Sequence, residues 1–126
     1  MADVDAVGVI ANDLAASVAF YERLLGERTF DGDGHVEFTA ASGFRLMIDS
    51  VAMIESFSTH TPATGGRNVS LAFACTSPGE VDELYAAAVA AGHTGTVAPF
   101  DAPWGQRYAT VLDPDQNPVD LFAPLS

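Results

Sequence analysis

The feature that most limits how this chain can fold is a repeated order of elements in its two halves. Near the start, Asn12-Asp13 can take up free helix amides, and Leu14, Val18, Tyr21, Leu24 and Leu25 follow at helical spacing to Gly26, a C-terminal stop. Further on, Ser77-Pro78-Gly79-Glu80 supplies a cap, a proline at the first helical position and an acid three residues after the cap. Val81, Leu84, Tyr85, Ala88 and Val89 give that helix an apolar stripe, and Gly92 ends it. Tyr21 and Tyr85 hold similar places, 64 residues apart. A short strand precedes each helix: Val7 and Val9 alternate with Ala6, Gly8 and Ile10, and Val69, Leu71 and Phe73 alternate with Ser70, Ala72 and Ala74. Two units are too few for a solenoid. The pattern predicts an α+β fold of two βαβββ modules whose mixed sheets are cupped around one cavity.

In the first half the three later strands are read as Thr29-Phe30, His35 to Ala41 and Phe44 to Asp49, with a strong turn at Asp31-Gly32-Asp33-Gly34. Ser56, Ser58, Thr59, Thr61, Pro62, Thr64, Gly65 and Gly66 make a loop, with a helical turn near Val51-Phe57. The second half ends in a strand near Thr96-Ala98 and a closing hairpin. Residues 1–126 are thus expected to form one domain, with module one at about 4–50, a linker at about 51–67 and module two at about 68–125.

That hairpin carries most of the chemistry. Asp113-Pro114-Asp115-Gln116-Asn117-Pro118 is built of turn formers, since proline presets φ and Asp or Asn side chains bond their own backbone. The run before it carries Trp104 and Tyr108. The run after it alternates Val119 and Leu121 with Asp120, which puts a carboxylate on the face opposite the apolar one. The same alternation assigns Val7, Val9, Leu46, Ile48, Val69, Leu71, Phe73, Val119 and Leu121 to a helix-facing side. It leaves Ala6, Gly8, Arg45, Met47, Ser70, Ala72 and Asp120 on the other. That second side is smaller and more polar: either it leaves room for a bound molecule or it faces solvent.

Composition excludes several functions. A hydrophobic share of 48% supplies a core, and the lone Cys75 rules out a disulfide framework and fits a reducing cytoplasm. Cys75 itself reads as packed and inert. No apolar run approaches the roughly 20 residues that span a bilayer, and the acidic Met-Ala-Asp-Val-Asp start is unlike a secretory signal. A net charge of −12 speaks against nucleic acid, whose phosphates need a basic surface. It is compatible with a cationic ligand, but simple solubility explains acidity more often.

Asp13-Leu14-Ala15-Ala16-Ser17-Val18-Ala19-Phe20-Tyr21-Glu22-Arg23-Leu24-Leu25-Gly26 resembles the first-helix signature of the vicinal oxygen chelate superfamily, which holds glyoxalase I, extradiol dioxygenases and bleomycin resistance proteins. Asp113-Pro114-Asp115-Gln116-Asn117-Pro118-Val119-Asp120-Leu121-Phe122 is similar to that superfamily's closing hairpin, in which glycine usually stands where this chain has Gln116. Trp104-Gly105-Gln106-Arg107-Tyr108 with Asp120-Leu121-Phe122-Ala123-Pro124-Leu125 resembles drug-binding resistance members, the mitomycin type above all. The resemblance implies paired βαβββ modules assembled as a homodimer with composite cavities. Its metal enzymes place ligands on the first and last strand of each module, positions that map here to Ala6, Met47, Ser70 and Asp120. Ala6 and Met47 offer no hard donor and Ser70 is a poor ligand for divalent metals, which leaves Asp120, and a catalytic site needs about three protein ligands. No metal and no cofactor are therefore expected. Asp113, Asp115 and Asn117 lack the spacing of a calcium loop and read as a turn.

The candidate ligand-binding residues are Trp104, His35, Asp120, Tyr108 and Met47. Trp104 is either a loop anchor after Phe100-Asp101-Ala102-Pro103 or a platform for a planar ligand. His35 is either a surface histidine or, as the resemblance implies, the other side of a stack; it would serve as a base in an enzyme. Asp120 either accepts from ligand N–H groups or bonds Arg107 or Arg45. Tyr108 faces either the cavity or the core, and Met47 offers a soft wall. His60 and His93 are assigned no role. The expected function is metal-free binding of a planar, cation-compatible aromatic antibiotic, giving resistance by sequestration. The alternative is a metal-independent enzyme acting on a small metabolite, with His35 or Asp120 as acid–base; a third reading is a scaffold with an empty cleft.

Overall fold

The computed structural model describes Met1, residues 4–57 and residues 69–126. The chain divides into two compact units, Met1–Thr64 and Gly65–Ser126. Most of the expected linker, from residue 58 onward, lies outside the described residues, as does His60.

The first unit runs β1 (Ala6–Ala11), α1 (Leu14–Leu25), β2 (Phe30–Gly32), β3 (His35–Thr39), β4 (Arg45–Ser50) and α2 (Val51–Glu55). Its sheet has the order β1-β4-β3-β2, with β1 parallel to β4 and the other pairs antiparallel. α1 begins where expected, because the Asp13 carboxylate accepts from the Ala16 amide at 3.1 Å. It stops at Gly26, whose φ of 80° suits only a residue without a Cβ and whose N–H donates to the Glu22 carbonyl. One face of the sheet carries the buried Val9, Ala11, Val36, Phe38, Leu46 and Ile48, and α1 packs over β3 and β4 with Val18, Phe20 and Tyr21 buried. Each such side chain removed from water contributes roughly 1.5–3 kcal/mol. Phe20 was no part of the expected stripe; it meets Tyr21 edge-on at 4.9 Å, so the buried face of α1 lies closer to Phe20 than to Leu24 and Leu25, which are half-buried.

The second unit repeats the plan: β5 (Leu71–Ala74), α3 (Pro78–Ala90), β6 (Gly95–Ala102), β7 (Gln106–Leu112) and β8 (Pro118–Pro124). Its sheet has the order β5-β8-β7-β6, again with one parallel pair, β5 with β8. Ser77 caps α3 by accepting from the Glu80 amide, and Glu80 in turn accepts from the Thr76 amide. Val81 and Ala88 are buried from the helix side, and Ala109, Val111, Val119, Leu121 and Ala123 from the sheet. Both units therefore have the βαβββ order, and the chain is an α+β protein with two mixed four-stranded sheets.

Several boundaries differ from the expectation. β5 starts at Leu71, so Val69 lies before the strand and is exposed. Val89 is exposed as well: eight residues after Val81 it has rotated off the packed stripe. β2 takes in Asp31 and Gly32, which leaves the turn to Asp33-Gly34, with Gly34 at φ 74°. The last unit changes most. The expected strand near Thr96-Ala98 is an eight-residue strand with register shifts, and it absorbs Phe100, Asp101 and Ala102. Pro103, Trp104 and Gly105 then form the tight turn into β7 rather than part of a long loop. Proline and alternation failing across the shifts disguise this strand in the sequence.

Candidate functional site

Both sheets bury one face under a helix, and the chemistry lies on the other. In the second unit, cross-strand register puts Thr110 opposite Asp120 and Tyr108 opposite Phe122. Residues two apart along a strand share a face, so Tyr108, Thr110 and Asp120 stand together, while Ala109 and Val111 point into the core. Tyr108 is thereby placed on the open face. Its hydroxyl donates to Asp120 Oδ2 at 2.6 Å, and the Thr110 hydroxyl donates to Oδ1 at 2.8 Å. Burial and then the bond to Asp120 push the Tyr108 phenol up to about 12.

The arginine partners considered for Asp120 are engaged elsewhere. Arg107 lies one residue out of phase and bonds Asp82 on α3 and Asp101 on β6. Arg45 bonds Asp5 and Glu37 in the first unit.

Trp104 is 58% exposed at the β6–β7 turn. Its indole N–H donates to Gln106 Oε1 at 3.0 Å, which fixes the ring. It meets Tyr108 edge-on at 5.4 Å and Phe100 edge-on at 6.0 Å, and Phe100 lies 6.4 Å from Tyr108. The three rings form a near-perpendicular cluster, and the Trp104 side chain stays largely open to solvent. The structure thus brings Trp104, Tyr108 and Asp120 together and adds Phe100, Thr110 and Gln106. Phe100 was hidden by being read as loop. Thr110 could be found only from the register of the hairpin.

In the first unit the open face carries His35, Glu37, Arg45, Met47 and Asp49, with Gly8 opposite Met47 and Ala6 opposite Arg45. His35 is held at both ring nitrogens: Nδ1 lies 2.6 Å from Asp49 Oδ1 and Nε2 lies 2.7 Å from Glu37 Oε2. Glu37 also accepts from Arg45, which continues to Asp5. The bonds to Glu37 and Asp49 raise the His35 titration above its ordinary 6.5, against a lowering by burial. His35, and after it Arg45, lower Glu37. Phe30 on β2 flanks the His35 ring at 5.7 Å, tilted by 58°. Met47 stands between Gly8 and Glu37 in the register. Asp49 escaped the reading of the sequence because pairing it with His35 requires the β3–β4 register; Glu37, two residues along the same strand, was open to the period-two alternation and was overlooked.

The four positions implied for a metal do not suit one. Ala6 has no donor, Met47 offers a thioether, and Asp120, the one carboxylate, already accepts a hydroxyl at each oxygen. Among the described residues no three His, Cys, Asp or Glu side chains are grouped to hold a metal; Glu37 and Asp49 sit at opposite nitrogens of His35 rather than converging. Asp113 works as a turn residue: Oδ1 accepts from the Asp115 and Asn117 amides and Oδ2 from the Asn117 side chain. Cys75 is buried, and burial raises its thiol. Among the described residues no helix is long and apolar enough to cross a membrane.

Known structures share this fold. A glyoxalase/bleomycin resistance protein/dioxygenase from Nocardioides is 26% identical, with a TM-score of 0.73 over 100% of this chain and 85% of that one. A glyoxalase/bleomycin resistance protein from Albidiferax ferrireducens is 27% identical, with a TM-score of 0.76 over 94% and 96%. A glyoxalase-related enzyme from Fulvimarina pelagi, 24% identical with a TM-score of 0.82 over 98% and 88%, shares the fold. No protein of curated function matches the sequence. The model of the Glyoxalase/Bleomycin resistance protein/Dioxygenase superfamily matches residues 3–121. With a match over almost its whole length and the module order repeated in both units, the chain belongs to that superfamily.

Proposed function

We propose that this protein binds a flat, cationic aromatic molecule without a metal and without transforming it, and that it confers resistance to an antibiotic of that class by sequestration in the cytoplasm. The observation that carries this reading is the exposed Trp104, set edge-on to Phe100 and Tyr108 beside a hydroxyl-bonded Asp120. An indole face attracts a planar ring and a cation alike, contributing about 0.5–2 kcal/mol per contact. Asp120 supplies the negative charge, and the overall charge of −12 favours the approach of a cation. Met47 and His35 serve as further ligand contacts, and the working form is a homodimer with composite cavities, as the family resemblance suggests.

Trp104 is the only tryptophan, so its fluorescence reports its own surroundings. A panel of cationic aromatic antibiotics should quench it saturably, and Trp104→Ala should weaken binding about tenfold or more by calorimetry while leaving the circular dichroism spectrum unchanged. Unchanged affinity in that variant would remove the stacking model. Light scattering of the eluted protein tests the dimer.

A second reading, metal-independent catalysis on a small metabolite, is favoured by one feature: a carboxylate-oriented imidazole, Asp49 on His35 Nδ1, is an arrangement suited to a general base. Recovery of the added compound unchanged after long incubation separates the two, since an enzyme would return a product.

A further inference from the structure

Every polar atom of the His35 ring is bonded to a carboxylate, and such a ring behaves differently in its two protonation states. An imidazolium has two N–H donors and can satisfy Glu37 and Asp49 together; a neutral imidazole has one donor and one bare lone pair. A lone pair 2.7 Å from a carboxylate oxygen is repulsive, so one of the two contacts must open when the proton leaves. The neighbours decide which. Glu37 has a second partner ready, Arg45 Nη1 at 2.9 Å from its other oxygen. Asp49 has the shorter contact, 2.6 Å, from the directly opposed position on β4, and no other side-chain bond is described for it.

We propose that His35 is a proton-operated switch on the open face of the first sheet. With the proton on, it ties Glu37 to Asp49. With the proton off, it keeps its Nδ1–H on Asp49, releases Glu37 to Arg45 and leaves Nε2 bare. The proton passes from Nε2 to solvent, which the 24% exposure of the side chain allows. The groups that face His35 are Glu37 from its own strand, Asp49 and then Arg45 from β4, and the uncharged Phe30 ring from β2; Asp5, before β1, acts through Arg45. The raised His35 titration and the lowered Glu37 follow from this geometry. The two states offer a ligand different chemistry. The first presents two carboxylates bridged by a single positive charge; the second presents an acceptor nitrogen and one more net negative charge. This extends the binding reading given above, since His35 Nε2 accepts a ligand N–H only in the second state.

The test uses the ligand-free protein, so failure of the switch and failure of ligand binding are read separately. In long-range proton–nitrogen NMR spectra of protein labelled with 15N-histidine, His35 is identified by the signals lost in His35→Gln. It should titrate above 6.5 and, when neutral, carry its proton on Nδ1. Glu37→Gln should lower the titration point, and Asp49→Asn should move the neutral-state proton toward Nε2. Titration at or below 6.5 in the unaltered protein, or a neutral ring protonated on Nε2, overturns the proposal, and His35→Gln serves only to assign the signals.

Discussion

At the scale of single residues, the open faces carry groups whose ionisation is linked to folding, and the two linked shifts have opposite signs. The folded state raises His35, so the stability it contributes is fully present below 6.5 and is lost as pH rises through its higher folded value. The folded state lowers Glu37, so that contribution is present above 4.5 and is lost as pH falls through its lower folded value. Both are present between those two reference values. Urea midpoints measured across pH should be highest in that interval, and His35→Gln should flatten the fall on the alkaline side. A fall of equal steepness in the variant would show that His35 is not its source. The sequence made His35, Met47, Trp104, Tyr108 and Asp120 visible because each is an unusual residue in its stretch. The partners Glu37, Asp49, Arg45 and Thr110 are ordinary polar residues on strands. For Asp49, Arg45 and Thr110 that importance comes from register, which depends on hairpin geometry between strands and leaves no local mark; Glu37 shares a strand face with His35 and was open to alternation alone.

At the scale of elements, the two helices were legible because caps and stops act locally: Asp13 and Ser77 each accept the amide expected of them. The extent of β6 beyond the expected stretch near Thr96-Ala98 was not, because its partner pairing is interrupted by register shifts and Pro99 breaks its alternation. Its starting residue makes a tertiary demand as well. A Cβ at Gly95 would run into the ring of Tyr85 on α3. Gly95→Ala should therefore cost about 1–3 kcal/mol by overpacking, read as a lowered urea midpoint, and Tyr85→Ala should remove most of that penalty. The closing hairpin holds a different case. Gln116 has φ 70°, a left-handed conformation that costs an L-residue roughly 1 kcal/mol. Gln116→Gly removes that strain and leaves the Asp113 bonds in place, so thermal denaturation should show equal or greater stability. A clear loss would mean that the Gln116 side chain contributes more than its backbone costs.

At the scale of the whole molecule, two units of like topology each cover one sheet face with a helix and leave the other to small and polar residues. That division was readable from period-two alternation, with Val9, Leu46, Ile48, Val119 and Leu121 inside and Arg45, Met47 and Asp120 outside. Superfamily membership comes with metal chemistry in some members, but Ala6, Met47, Ser70 and Asp120 supply a single hard donor in this chain. Chelator treatment should leave the melting temperature unchanged, and zinc, nickel or manganese should show no stoichiometric binding by calorimetry; binding of one ion per chain would contradict the donor-set argument.

The most direct test of the account is a fluorescence titration of Trp104 with cationic aromatic antibiotics, followed by mass spectrometry of the recovered compound. Saturable quenching by at least one such compound is expected, with recovery of the compound unaltered, and with that binding lost in Trp104→Ala, where calorimetry replaces the missing fluorophore. Conversion of the compound to a product, or binding undiminished by the loss of Trp104, would contradict it.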